Sequence, residues 1–375
     1  MAIWISNDFL SFFIALVLAA IIIPQILIIA FRKNLFDEVD DRKIHQGGVP
    51  RLGGIAFFPS ILFSLALVVG INLKLFGPDI NSVFYECTVP VYFMICAVLL
   101  MFLVGIADDL VGVRYVVKFI VQILSAILIV ISGFYVDNLF GFIYLHNISG
   151  WFGWLVTIFA VVYVVNAINL IDGIDGLASG LSTVACVYYA IVFYNCGDYA
   201  FSMLACASAG TLLPFFYYNV FGNPGKQKKI FMGDAGALTT GMVLVFLAIA
   251  ILHIDDNEFK MQYNPIVIAL APLIIPCFDV VRVYLHRVSR HRNPFLPDKS
   301  HIHHKLLALG LSQRGALCVI LIWSLIFIFS NLYLSPFVNA TWLITGDIAI
   351  WTVINIGLTK AIGKREKKIG EKIYN

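Results

Sequence analysis

Four short stretches of this sequence carry side chains suited to chemistry on phosphate. Asp108 and Asp109 stand side by side at the end of an apolar run. Asn166, Asn169, Asp172 and Asp175 recur every three residues, which keeps them roughly on one side of a helical turn. Gly173 and Gly176 permit a sharp bend there and a close approach of backbone to ligand. Asp234 lies in Phe-Met-Gly-Asp-Ala-Gly, and His301, His303 and His304 form His-Ile-His-His. Carboxylates and amides at the edge of lipid are costly unless they hold something. The guest they suit is a metal ion together with a phosphorylated substrate.

Each stretch also has a plain structural reading. Adjacent carboxylates at a helix C-terminus oppose the helix dipole, so nothing structural favours Asp108-Asp109. Lys118, ten residues on, can reach back toward them or simply snorkel to the interface. Asp234 opens a helix, where it either caps the N-terminus or joins free backbone N–H groups in holding a metal–phosphate pair. The three histidines follow Arg287, Arg290 and Arg292 and lack the His-Glu-x-x-His spacing of a zinc site, so they suit an anion. The loop Arg32–Gly54 carries Lys43 and Arg51 as candidate substrate-binding cations. Its glycines would let an anionic ligand lie against main-chain N–H groups. Asp279 and Arg282, at i and i+3, read as a structural ion pair. Asp347 has no obvious partner.

The elements that must position these groups are membrane helices. The chain is 61% hydrophobic and only 13% charged, against about a quarter charged in soluble domains. With some 20 apolar residues needed per crossing, about eleven crossings can be read. The expected architecture is a single all-α polytopic domain. All 25 Lys and Arg except Lys74 and Lys260 fall on one side if the first crossing enters from outside. The positive-inside rule then puts the N-terminus outside and the C-terminus in the cytoplasm. Cytoplasmic loops are expected at 32–54, 108–117, 170–176, 220–234 and 286–314, with a basic tail over 360–375. The net charge of +3 serves orientation and implies no nucleic-acid partner. Met1–Phe9 lacks Lys and Arg, so the first apolar run is not expected to be a cleaved signal.

This topology gathers Asp108, Asp109, Lys118, Asn166 to Asp175, Asp234 and the histidines on the cytoplasmic side. Unpaired, the carboxylates would repel, by roughly 4 kcal/mol for two charges 4 Å apart at an effective dielectric of 20. A divalent cation removes that conflict, and hard oxygen ligands point to Mg²⁺, with Mn²⁺ as an alternative.

Gly105 to Asp109 with Lys118, the stretch Asn166 to Leu177, Phe231 to Asp234 and Pro297 to His304 together resemble the polyprenyl-phosphate N-acetylhexosamine-1-phosphate transferases. The His-Ile-His-His form is similar to the undecaprenyl-phosphate N-acetylglucosamine-1-phosphate branch. The resemblance implies transfer of N-acetylglucosamine 1-phosphate from UDP-N-acetylglucosamine to undecaprenyl phosphate, at the bacterial cytoplasmic membrane. It implies Mg²⁺ held by Asp234 and Asn169 with the diphosphate, and Lys118 on phosphate. Asp172 and Asp175 would face the nucleotide or order the metal's surroundings, and His301, His303 and His304 would grip diphosphate and sugar. Asn166 and Asn219 join the substrate-binding set, although the stretch from Asn219 to Asp234 is longer than in many relatives. Asp108 or Asp109 could take a proton from the lipid phosphate, or an aspartate could act as a covalent nucleophile. Another UDP-N-acetylhexosamine, or UDP-N-acetylmuramoyl-pentapeptide, is the alternative donor, and membrane lipids and a second copy of the chain are the other partners considered. The rival reading is a transporter of nucleotide sugars or cations. It would place its charged groups at the membrane midplane on broken helices of repeated halves. Here the acids sit at helix ends.

Overall fold

The computed structural model describes residues 2–35, 48–76, 81–291, 293, 300–371 and 374. Lys43 and residues 297–299 lie outside the described residues. The described chain is helical, with one isolated bridge between Asn138 and Asn147. Helices α1 (Ala2–Lys33), α2 (Phe57–Phe76), α3 (Asn81–Val111), α4 (Tyr115–Ile131) and α5 (Gly150–Ile171) make up the first part. The second comprises α6 (Leu177–Asn195), α7 (Tyr199–Phe221), α8 (Gly233–Leu252) and the short α9 (Asn257–Gln262). Then come α10 (Pro265–Leu270), α11 (Ile274–Ser289), α12 (Ile302–Ala308), α13 (Gln313–Leu334) and α14 (Ala340–Ile369).

Among the described residues, 10 helical stretches are long and apolar enough to cross a membrane. The protein is a multi-pass membrane protein. Two of those stretches include 3-10 turns: Gly53–Leu75 begins with one, and Pro265–Ser289 joins α10 to α11 through Ala271–Leu273. Pro272 lacks the N–H that a continuous α-helix would use there. Of the roughly eleven crossings expected from the sequence, one is the shorter apolar helix α4, of 17 residues. It stops at Ser132 because Gly133, at φ 94°, turns the chain into the left-handed region.

The core is organised by α8. After Asp234 it contains no charged residue, and every position from Ala235 to Leu252 is buried. A helix apolar on all sides has to be surrounded by protein, and α3, α5, α6, α7 and α10 surround this one. Asp234, at its N-terminus, therefore stands in the middle of one end of the bundle.

The glycines before α2 bring backbones together at that end. A Cβ on Gly54 would collide with the Gly236 backbone, and one on Gly105 with that of Ala235. Gly53 N–H donates to Phe231 O at 3.0 Å and Gly54 N–H to Met232 O at 2.9 Å. The expectation that these glycines offer their N–H groups to a ligand is therefore corrected: at 53 and 54 they pair with the strand of chain leading to Asp234. Asp347 also has a partner that the sequence did not disclose, the Asn331 amide, which donates to its Oδ2 at 2.9 Å.

Candidate active site

The acid pair sits in the last turn of α3. Gly112, at φ 72°, ends that helix by donating to Asp108 O. Val113 N–H then donates to Asp108 Oδ1 at 2.8 Å, which fixes the carboxylate. Asp109 points toward α8, accepting from the Asp234 N–H at 2.7 Å and the Ala235 N–H at 2.9 Å. It thereby caps α8 from another helix. This corrects two expectations. Asp234 does not cap its own helix, and the first N–H groups of α8 are not free for phosphate, because Asp109 holds them.

Lys118, in the first turn of α4, joins the two acids that remain. Its Nζ donates to Asp108 Oδ2 at 3.2 Å and to Asp234 Oδ2 at 2.8 Å. Asn169, in the last turn of α5, donates to Asp234 Oδ1 at 3.2 Å. An ammonium thus lies between two carboxylates, with an amide beside them.

The chain from Asp172 to Gly176 crosses this end of the bundle. Gly176 has φ 79° and opens α6, and a Cβ there would also strike Val220. Asp172 is pushed up to about 7, first by the protein packed around it, then by the charges of Asp175 and Asp234, with Arg51 opposing. Its side chain remains open to solvent, which screens these charges and tempers the shift. Asp175 is bound by Lys229, whose Nζ donates to Oδ2 at 2.5 Å with both side chains largely enclosed.

The histidines reach the same place from the other side. Asp279, fully buried in α11, accepts from Arg282 Nη2 at 2.8 Å and meets His301 Nδ1 at 2.9 Å. It also accepts the Ile302 N–H at 3.1 Å, so it orders the start of α12. The His303 ring lies against Gly173, where a Cβ would collide with it. It is 1% exposed, and neither ring nitrogen has a hydrogen-bond partner among the described residues. Burial, then the neighbouring His304 and His301, lowers its pKa to about 3, so the ring is neutral at ordinary pH. A neutral imidazole carries one donor and one acceptor. Leaving both unmet in a buried place is costly unless a ligand completes them.

Two sequence candidates fall elsewhere. Asn166 is deeper in α5 and pairs with Gln122, donating to Oε1 at 2.7 Å. Asn219 is buried and commits its amide to backbone, accepting from Gly176 N–H at 2.6 Å and donating to Ile230 O at 2.8 Å. Both amides therefore hold the frame of the site instead of opening onto it. Lys43 lies outside the described residues. Conversely, Lys229 and Asp279 were not singled out as site residues. Lys229 was hidden in a basic loop run without periodicity. Asp279 gave a signal, an acid inside a membrane helix, that its neighbour Arg282 made look structural.

Among the described residues no three His, Cys, Asp or Glu side chains form a metal cage. The donor set nevertheless fits Mg²⁺, which is commonly bound through one or two carboxylates and completed by substrate phosphates and water.

A family model described as glycosyl transferase family 4 matches residues 91–252, which span Asp108 to Asp234. The undecaprenyl-phosphate alpha-N-acetylglucosaminyl 1-phosphate transferase of Salmonella typhi is 31% identical over 295 residues, 78% of this chain and 74% of that protein. A probable undecaprenyl-phosphate N-acetylglucosaminyl 1-phosphate transferase of Bacillus subtilis is 33% identical over 325 residues, 86% of this chain and 84% of its own length. The Escherichia coli K12 protein with the same name as that of Salmonella typhi is 28% identical over 319 residues, covering 84% of this chain and 80% of that protein. With similarity running through most of both partners and through the acidic cluster itself, the chain belongs to glycosyl transferase family 4, among the polyprenyl-phosphate N-acetylhexosamine-1-phosphate transferases.

Proposed function

We propose that this protein transfers N-acetylglucosamine 1-phosphate from UDP-N-acetylglucosamine to undecaprenyl phosphate, giving undecaprenyl-diphospho-N-acetylglucosamine and UMP. The relatives' names support the donor and acceptor. The observation that carries the reading is the meeting, at one end of the bundle, of the Asp108–Lys118–Asp234 cluster with the buried, unpartnered His303 across Gly173. Acid groups for a metal, cations for phosphate and a neutral ring for hydrogen bonding then border one cleft. The basic character of that end favours the cytoplasmic face of a bacterial membrane, where nucleotide sugars are made. The product suits the first membrane step of a cell-envelope polysaccharide.

Asp234 and the Asn169 amide would hold Mg²⁺, which would supply charge neutralisation at the diphosphate. In the proposed reaction an oxygen of the lipid phosphate attacks the sugar-bearing phosphorus. The bond from that phosphorus to the bridging oxygen breaks, and UMP leaves with its electron pair. Lys118 pairs with phosphate charge once substrate enters. Asp109 has both oxygens committed to the N–H groups of α8, so its part is to hold Asp234 in place. Asp108 is then the better proton acceptor of the two. Because lipid phosphate is already largely ionised at neutral pH, direct attack is favoured over a covalent aspartyl intermediate.

The test is incubation of the purified protein with undecaprenyl phosphate and a panel of UDP-sugars, with and without Mg²⁺. Release of UMP with a lipid-linked product from UDP-N-acetylglucosamine alone, dependent on Mg²⁺, is expected. Product from another UDP-sugar would reassign the donor, and no lipid-linked product from any would refute the reading.

A further inference from the structure

The histidine segment has little structure of its own. Helix α12 is seven residues long, too short to hold its shape without tertiary contacts. Asp279 fixes its start. The rest is held by the C-terminal part of the chain, at three points. At the front, Ser300 O accepts from the Tyr374 hydroxyl at 2.9 Å as well as from Arg282 Nη2 at 2.5 Å. At the back, Arg365 of α14 donates to Ala308 O at 2.9 Å and lies so close to Gly310 that a Cβ there would meet the guanidinium.

Between them stands Lys305, whose side chain leads to α14. It is 5% exposed, and its Nζ donates to Asn355 O at 3.3 Å, Asn355 Oδ1 at 3.1 Å and Thr359 Oγ1 at 3.1 Å. The receptor is preorganised. Asn355 and Thr359 are one helical turn apart, so they share a face of α14. The Asn355 amide donates back to Trp351 O at 3.0 Å, which turns its Oδ1 toward the lysine. The Thr359 hydroxyl donates to Asn355 O at 2.8 Å, leaving its oxygen to accept.

Among the described residues no carboxylate receives this ammonium; three neutral oxygens do. Burial, and then the nearby Arg282, lowers its pKa to about 8. A leucine or methionine would fill such a position without the cost of desolvating a charge. What the lysine adds is direction, because three donors on one nitrogen fix where α12 sits against α14.

We propose that Lys305 is a positioning residue for the transfer reaction, and that through it α14 sets His303 against Gly173, and His303 and His304 toward the incoming anionic substrate. The proposal rests on the transferase reading above. It makes the C-terminal helix an arm of the active site, although none of the residues expected to touch substrate lies on it.

The experiment is steady-state kinetics on the full-length protein with Lys305→Met, Lys305→Arg, Asn355→Ala/Thr359→Ala and the triple variant. Misplacing the histidines is expected to raise KM for the UDP-sugar by about tenfold in Lys305→Met, with a smaller change in kcat. KM for the lipid phosphate is expected to stay put. Lys305→Arg should recover part of the loss, since it keeps charge and donors. The triple variant should be no worse than Lys305→Met, because all of these changes remove one joint. Hydrogen exchange adds a readout independent of the reaction, with faster exchange in Lys305→Met confined to 300–310. Unchanged KM and unchanged exchange would overturn the proposal, as would losses spread equally over both substrates and the whole chain. If the wild type made no lipid-linked product, the transferase reading would fall while the exchange result still judged the joint.

Discussion

At Lys118 one ammonium separates two carboxylates, 3.2 Å from Asp108 and 2.8 Å from Asp234. Removing it leaves like charges facing each other, a repulsion of roughly 4 kcal/mol at about 4 Å and an effective dielectric of 20. Lys118→Met is therefore expected to lower turnover by about a hundredfold and to lower the thermal midpoint in detergent. Added Mg²⁺ should restore more of that midpoint than it adds to the wild type; an equal rise in both would separate Lys118 from the metal's position. His303 makes a pH prediction of definite sign. Its pKa is about 3 in the folded protein against 6.5 in an unperturbed ring, so between these values the unfolded chain binds the extra proton. Stability contributed by the neutral ring is present above pH 6.5 and is lost as pH falls toward 3, by at most about 1.4 kcal/mol per pH unit. His303→Gln should flatten that slope in denaturation scans from pH 7 to 4, and an unchanged slope would place the effect elsewhere.

At the scale of elements, the N-terminus of α8 is held by a carboxylate from α3. Helix caps contribute about 1 kcal/mol each, up to about 2. Asp109→Ala should cost in that range, measured as a lowered unfolding midpoint, and should also reduce activity because Asp234 loses its anchor. Asp109→Asn keeps one acceptor oxygen and should fall between Ala and wild type. Gly173 is a second element-scale point, since the turn between α5 and α6 passes directly under the His303 ring. Gly173→Ala is expected to displace that ring and cut UDP-sugar affinity by about tenfold or more while the bundle stays folded. Binding at wild-type strength would show that the ring can move aside without consequence.

For the whole molecule, the ends of α3, α5 and α7 and the starts of α4, α6 and α8 meet at one end of the bundle. The ion pairs and backbone contacts between them fix that, but which side of the membrane it faces is a matter of charge. Lys226 lies in the loop between α7 and α8 at this end. In a background without the seven native cysteines, Lys226→Cys should react with an impermeant maleimide in inverted vesicles and not in intact cells. The opposite pattern would invert the proposed topology.

Much of this was legible in the sequence, for a physical reason. Carboxylates, amides and histidines next to lipid are expensive, so Asp108, Asp172, Asp234 and His303 stand out wherever an apolar chain contains them. The length of the apolar runs placed the membrane helices, with α4 the one that came out short. What was not legible were partnerships across long sequence distances. Asp109 and Asp108 look alike as neighbours, yet one caps α8 and the other faces Lys118. Asn166 and Asn169 share a spacing, yet only Asn169 reaches Asp234, because Gln122 takes the other. Asn219 staples two backbones, and Lys229 closes on Asp175 across 54 residues. Local residue type and spacing determine where polar groups must be sheltered. Only the packing of the helices against one another decided which of them meet, because the partners come from elements far apart in the chain.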